Sequence, residues 1–469
     1  MEDLQKLKAN VLPLKPVYEP YNDIAHQVLE QVLDMLSNVP TTSVNRNKYC
    51  LILSSILVVA QTLATQVKGG ISIPKTKKVW YEYPRVSIKA IDRVRNDLLN
   101  NNIITQIPDT GRQHILQLED GSWKNVGVQS VYSINDQVLK LKGLLDAEFI
   151  EVARPTVLVG EYEDWIVRKR RKDQGLRKPK MNTTKVKSKF GVLYRVTSKD
   201  IERLNTFYRD HPLALPRLDN GSQKYAACCT RIYHDGSMDS GGRLYGAWSD
   251  MGSHYRLQST IDGETVVEID LNASQPTLFS SLMGMKMDVG ESWNDLYESI
   301  VSNFPLQTDE DVGLKREKLK SVAAELIGTG NPNKSHPSKD SKYSFSKDYL
   351  EWDMYRYELI RAVPSLESLD NSYYNGTGFI SFHESEMMVA TLKKLMALEI
   401  PAYSIHDCLL VKSSDKDIAL HTYRNTIREY IIQWNNKKKK TVIDVVVPVK
   451  IEELINNKKE VERIKGYYN

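Results

Sequence analysis

The 469-residue sequence predicts an α+β protein of two or three packed units. Three features carry that expectation. The first 70 residues place apolar side chains at helical spacing. The second half holds short β-branched runs, "ETVVEIDLN", "AYSIHDCLLVKSS" and "TVIDVVVPVKI", that read as strands. Between them "GLKREKLKSVAAELIG" has one cationic and one apolar face, as an amphipathic helix does.

With 41% hydrophobic and 26% charged residues the chain can bury a core in each unit, which excludes a largely disordered protein. Sixty-four Lys and Arg against 59 Asp and Glu leave a net charge of only +5, so attraction to a polyanion must come from local clusters. The four cysteines (Cys50, Cys228, Cys229, Cys408) lack metal or disulfide spacing and no signal peptide is visible, so a reducing cytoplasmic setting is expected. "CLILSSILVVAQTLA", from Cys50, is shorter than about 18 uninterrupted apolar residues and predicts a buried helix, with no membrane partner.

Residues 1–72 form the expected helical N-terminal region, with "YNDIAHQVLEQVLDMLS" as one helix and the Cys50 helix ending at Gly69-Gly70. Residues 73–150 predict an amphipathic helix and two strands paired around a Pro-Asp-Thr-Gly turn, the order of a winged helix, with Lys89, Arg93 and Arg95 on the helix. Residues 151–240 hold a stretch, Arg168 to Lys189, with eleven basic residues and one acid; Gly and Pro within it predict a linker or mobile loop. Arg168, Lys169, Arg170 and Arg171 are its candidate nucleic-acid contacts. Residues 241–469 carry the chemistry.

There an apolar strand twice delivers an acid: Asp270 ends "ETVVEIDL", and Asp407 sits with His406 between two short strands, as at a hairpin tip. If those strands are neighbours, the carboxylates converge, and a pair of acids at one sheet end calls for a hard cation such as Mg²⁺. Arg316 and Lys320, four residues apart, share a helix face suited to a triphosphate.

These stretches, in this order, resemble the palm and fingers of family A nucleic acid polymerases, the group of DNA polymerase I and the phage single-subunit RNA polymerases. "GGRLYGAWSDMGSHYR" is similar to the Gly-Arg segment before the first catalytic motif, "DLNASQPTLFSSLMG" to that motif, "REKLK" to the fingers-helix Arg-x-x-x-Lys, "FHESEMMVATLKKL" to the helix before the last motif and "IHDCLLV" to the His-Asp motif. "HTYRNTIREYIIQW" with "VVVPVKIEEL" matches the helix and strand that close the palm. The resemblance covers residues from about 240 to 455.

It implies a right-hand palm with an antiparallel sheet and helical fingers. Asp270, the Leu271 backbone carbonyl and Asp407 would bind two Mg²⁺ ions, with Mn²⁺ as substitute. Arg316, Lys320, Gln275 and His383 would bind the nucleoside triphosphate, Lys320 also counting as catalytic. Arg243 and His406 would touch a DNA (or RNA) primer–template. Gln275 stands where the DNA polymerases carry Glu, which favours DNA synthesis. Two departures stand out: no aromatic follows Lys320 within its helix, where the family has an aromatic-Gly pair, and Cys408 replaces a second carboxylate. No carboxylate-rich exonuclease pattern precedes residue 240, so a polymerase here would not proofread. Alternatives are a single-subunit RNA polymerase, a primase or terminal transferase, and a DNA-binding replication initiator with a degenerate palm.

Overall fold

The structure is a computed structural model that describes residues 11–65, 69–74, 83, 85–108, 110, 113–117, 123–127, 130–173, 178–217, 221–289, 295–303, 310–339, 341–346, 349–369, 377–443, 447–455 and 458–464. It is an α+β protein with mixed and antiparallel sheets. The chain divides into two compact units, one of residues 1–156 and 208–229, the other of residues 157–207 and 230–469.

In the first unit, Asn22 caps the helix Asp23–Asp34 by accepting from the Ala25 amide (2.8 Å), and five of that helix's apolar residues are buried. The helix Ser43–Leu63 runs through the centre of this unit's core, buried from Leu51 to Gln61. Among the described residues no helix is long and apolar enough to cross a membrane. The Ser43–Leu63 helix ends earlier than the glycines suggest. Gly70 instead opens a strand, Gly70–Ser72, where a Cβ would lie 2.9 Å from Val131 Cγ1 and 3.0 Å from the Tyr132 carbonyl oxygen.

Of the winged-helix-like order expected for residues 73–150, the helix Ile88–Asn100 is present. The two strands do not pair with each other: Ile104–Gln106 pairs with Val131–Ile134, and Gln113–Gln117 with Trp123–Gly127. Turn composition marked a local hairpin, but each strand takes its partner from further along the chain. The expected turn lies partly outside the described residues. Arg93 and Arg95 are engaged within the unit, by the Asn38 carbonyl (2.8 Å) and Asp92 (2.8 Å), while Lys89 is exposed.

The second unit begins with β1 (Val157–Val159), α1 (Trp165–Asp173) and α2 (Thr183–Asp210, with a non-helical Gly191; its last residues belong to the first unit). The basic stretch expected to be a mobile loop is therefore helical over most of its described length. Arg and Lys are good helix formers, Asp164 accepts from the Val167 amide (2.9 Å) and Asn182 from the Lys185 amide (2.8 Å), so both helices have side-chain caps. Next come β2 (Thr230–Tyr233) and β3 (Gly241–Tyr245); β1 and β2 are parallel, β2 and β3 antiparallel. Then follow α3 (Ser253–Arg256), β4 (Thr260–Ile261), β5 (Glu264–Leu271), α4 (Ser274–Met283), α5 (Leu296–Asn303), α6 (Val312–Thr329), α7 (Leu350–Ala362), α8 (Thr377–Ala397), β6 (Ala402–Ile405), β7 (Cys408–Lys412), α9 (Lys416–Lys438), β8 (Val449–Ile455) and β9 (Lys458–Ile464).

The main sheet of this unit has the antiparallel order β6-β7-β5-β8-β9, with β4 hairpinned onto the start of β5. Central β5 reads Glu-Thr-Val-Val-Glu-Ile-Asp-Leu; its β-branched residues suit a strand covered on both faces, and Val266 to Ile269 are buried. A separate helical core joins Phe279 of α4 to Leu296, Ile300, Leu319, Val322, Leu326, Trp352 and Tyr355. Helix α4 ends at Gly284 (φ 68°), where a Cβ would meet the Thr441 carbonyl oxygen at 2.5 Å, so only glycine fits.

Candidate active site

Strand β5 carries Asp270 at its penultimate position, opposite Cys408 on β7 and Lys450 on β8. Ile405 pairs with Cys408, so His406 and Asp407 are the two loop residues of the β6–β7 hairpin, and Asp407 is next in chain to the residue facing Asp270. His406 has φ of 58°, a left-handed conformation that glycine normally fills. The tip is held in that form: the Tyr423 hydroxyl donates to the Asp407 backbone carbonyl (2.6 Å), Trp248 Nε1 donates to the Ser404 carbonyl (2.9 Å), and the His406 ring stands edge-on to Tyr245.

Both acids open onto a cavity of about 620 Å³. It is also lined by Arg243, Leu271, Ser274, Gln275, Asp295, Tyr297, Arg316, Lys320, His406, Lys450 and Glu452. The two sequence-predicted acids, the two predicted triphosphate cations, Gln275, Arg243, His406 and Leu271 thus share one space, supplied by separate strands and helices of one unit.

The electrostatics of the space are those of crowded acids. Burial first, and the charge of Asp407 second, lift the Asp270 carboxyl from 3.8 to about 7, against the opposing Lys450 ammonium 3.3 Å away. Lys450 is shared with Glu452 at 2.7 Å. Arg243 reaches the cavity braced by a forked ion pair, Nε to Glu384 Oε1 (2.7 Å) and Nη2 to Oε2 (3.1 Å), while the Ser274 hydroxyl donates to the same carboxylate (3.3 Å). Burial and then Asp407 raise Glu384 from 4.5 to about 7. Burial works against the Arg243 charge, and Glu384 overcomes it, keeping the guanidinium above its usual value. His406 is pushed below its usual value by burial and then by Arg243, and its Nδ1 is buried without a hydrogen-bond partner.

On α6 the two cations differ. Arg316 is held at Nε (3.1 Å) and Nη2 (2.6 Å) by Asp295 and touches Glu317 through Nη1. Lys320, one turn on, is exposed and without a side-chain partner among the described residues. Asp295 uses its other oxygen to cap α5, accepting from the Tyr297 and Glu298 amides at 3.1 Å each.

Other predicted residues lie elsewhere. His383 does not line the cavity; its ring is buried between Phe379 and Trp434, its Nδ1 is 2.6 Å from the Tyr430 hydroxyl, and burial, then Lys438 and Lys440, lower it to about 3. It stands outside that cavity as a packed, neutral ring. Arg168 is paired to Asp235 (3.3 Å), Arg171 to Glu163 (2.9 Å), and Arg170 is exposed; the side chain of Lys169 lies outside the described residues. Glu384, Lys450, Glu452, Asp295 and Tyr297 were not singled out from the sequence. Among the described residues no three His, Cys, Asp or Glu side chains gather as a metal cluster.

No family model and no curated protein matches the sequence. Among solved structures, the chain is similar to the POL domain of Pol1 from M. smegmatis in complex with DNA primer-template and dNTP, with a TM-score of 0.30 and 10% identity over 51% of this chain and 49% of that one. This chain thus spans about half the length of that one. A likeness of that size carries no argument about activity.

Proposed function

We propose that this chain is a template-directed nucleotidyltransferase, and within that class a DNA polymerase that extends a primer 3′-hydroxyl without a proofreading exonuclease. The supporting observation is that Asp270 and Asp407, 137 residues apart in sequence, open onto the same cavity as Arg316 and Lys320. On this reading the β6-β7-β5-β8-β9 sheet is a palm, α4 to α7 are fingers, and residues 151–240 are a thumb-like region whose basic residues follow the backbone of a primer–template.

The donors suit Mg²⁺. Two carboxylates and the Leu271 carbonyl are hard oxygen ligands, and burial, then the charge of Asp407, lift Asp270 to about 7, a cost that a cation beside it would relieve. With only two acids, phosphate oxygens would complete the coordination shell. When bound, the metal lowers the pKa of the attacking hydroxyl and neutralises the triphosphate, with Mn²⁺ as substitute.

The side chains do the rest. Lys320, free of partners, reaches the β- and γ-phosphates and neutralises charge that grows there, while Arg316, clamped by Asp295, presents a fixed guanidinium to the same groups. Arg243, aligned by Glu384, and His406 hold the primer end. Gln275, on the first turn of α4, lies beside the sugar and disfavours a 2′-hydroxyl. The 3′-hydroxyl gives up its proton to solvent, its oxygen forms a bond to the α-phosphorus as the bridge to the β-phosphate breaks, and pyrophosphate departs.

The test is extension of a labelled primer on a template with Mg²⁺ and deoxynucleotides, comparing wild type with Asp407→Ala. Wild type is expected to extend, and the variant to fall by about 10²-fold or more, in the range seen when preorganised charge is removed. Equal extension by both proteins refutes the assignment. Preference for ribonucleotides moves it to RNA synthesis, and products made without a primer move it to a primase or terminal transferase.

A further inference from the structure

Lys450 lines the cavity, yet the chemistry proposed above gives it no task. Antiparallel pairing of β5 with β8 sets Lys450 directly opposite Asp270, and Glu452 directly opposite Glu268. Residues opposite one another on neighbouring strands, and residues two apart on one strand, share a face of the sheet. Glu268, Asp270, Lys450 and Glu452 therefore form one patch, three acids around a single lysine, and the strand register itself puts the lysine there.

The patch is fixed on one side and adjustable on the other. Glu268 is held by Arg256 (2.8 Å) and by the Ser253 hydroxyl (2.8 Å), which also lies 2.9 Å from Glu452. The Lys450 ammonium has two seats, 2.7 Å from Glu452 and 3.3 Å from Asp270. The first is a short charge-assisted contact and the second a looser one. The Glu452 side chain is 8% exposed and that of Lys450 is 30% exposed, so the carboxylate is packed in place while the ammonium has room to shift. A compact charge on a flexible four-carbon stem can leave one carboxylate and keep the other.

Resting on the nucleotidyltransferase reading, we propose that Lys450 is a built-in stand-in for the metal. Its ammonium neutralises Asp270 in the metal-free protein and withdraws to Glu452 alone when a divalent ion takes the Asp270 carboxylate. The lysine lets the acidic patch fold without a metal, since an acid buried with no cation beside it is strongly destabilising. The same charge repels the incoming ion, so the site holds its metal less tightly than its oxygens alone would.

Mn²⁺ titration of the full chain at pH 8, followed by the electron paramagnetic resonance of the free ion, tests this without nucleotide, primer or turnover. Lys450→Met keeps the apolar stem and removes the charge. It is expected to bind Mn²⁺ about tenfold more tightly than wild type, the repulsion in water between a unit charge and a divalent ion about 5 to 6 Å apart. Lys450→Arg, which keeps the charge, is expected to stay close to wild type. Without metal Lys450→Met melts below wild type, and saturating Mn²⁺ raises its melting temperature by more than it raises that of wild type. Damage to the fold can only weaken binding, so tightening is a readout that a merely structural lysine does not give. Equal or weaker Mn²⁺ binding by Lys450→Met overturns the proposal, as does tightening that persists in an Asp270→Asn background. If wild type and Lys450→Met both bind no Mn²⁺, the metal site of the nucleotidyltransferase reading falls and the stand-in falls with it, an outcome distinct from equal binding by both.

Discussion

Removing the charge of Asp407 should destroy activity and yet stabilise the metal-free protein. Asp407→Asn keeps the side chain's shape, and the Tyr423 hydroxyl still finds the backbone carbonyl of residue 407. Asp270 is lifted from 3.8 to about 7 and Glu384 from 4.5 to about 7, each by burial first and by Asp407 second. A carboxyl raised on folding contributes most below its unfolded pKa, and that contribution is lost as pH rises from about 4 through about 7. By pH 8, ionising the two groups costs about 4 and about 3 kcal/mol at most. The Asp270 figure is discounted because 30% of its side chain is exposed. Asp407 is the second cause of each lift, so Asp407→Asn raises stability at pH 8 by on the order of 1 to 2 kcal/mol, the size of about one pKa unit, and changes almost nothing at pH 4, where both carboxyls are protonated. For a unit of this size that is a rise of about 2 to 6 °C. Differential scanning calorimetry in a chelator at pH 4 and pH 8 measures it. A variant that melts at or below wild type at pH 8, or gains equally at both pH values, refutes the like-charge account of the site.

Glu384→Gln leaves the Arg243 guanidinium with half of its buried fork, so a loss of about 2 to 4 kcal/mol is expected, together with a higher KM for primer–template than for nucleotide. Denaturant titration and steady-state kinetics check both, and a double Glu384→Leu, Arg243→Met variant should recover stability without recovering KM. Lys320→Ala should leave stability within about 0.5 kcal/mol, because the side chain is exposed and unpartnered, while incorporation falls by about 10²- to 10³-fold and Lys320→Arg regains part of it. A Lys320→Ala enzyme of normal rate would remove Lys320 from the triphosphate site.

Legibility in the sequence followed the range of the interaction. Asp270 and Asp407 were readable because strand patterning and a two-residue turn are local, and together they fix which residue ends each strand. Arg316 and Lys320 were readable from helical spacing alone. Glu384 was not: inside "FHESEMM" it looks like any helix acid, and its partner Arg243 lies 141 residues away. His383, singled out from the sequence, is next in chain to Glu384 but packs outside the cavity. Successive helix residues point about 100° apart, so His383 faces Trp434 and Tyr430 while Glu384 faces Arg243. The basic stretch was misread because Gly and Pro were weighed above the helix propensity of Arg and Lys and the caps at Asp164 and Asn182.

The cavity gathers several costs that an inert fold would have shed. Asp270 is lifted to about 7 by burial and then by Asp407, Glu384 behind the cavity is lifted likewise, and the His406 Nδ1 is buried without a partner. Two non-glycine residues bordering the acids, Ala273 (φ 50°) and His406 (φ 58°), hold left-handed backbone, each at about 1 to 2 kcal/mol. Away from the cavity, in the same unit, Glu163 is paired with Arg171 and Glu325 with Lys334. The single ammonium at the Asp270 end, Lys450, is divided between Asp270 and Glu452. Strained backbone and negative charge meeting in one space are offset by a ligand that brings cations and hydrogen-bonding oxygens at once, and the metal-bound nucleoside triphosphate of the proposed function is of that kind.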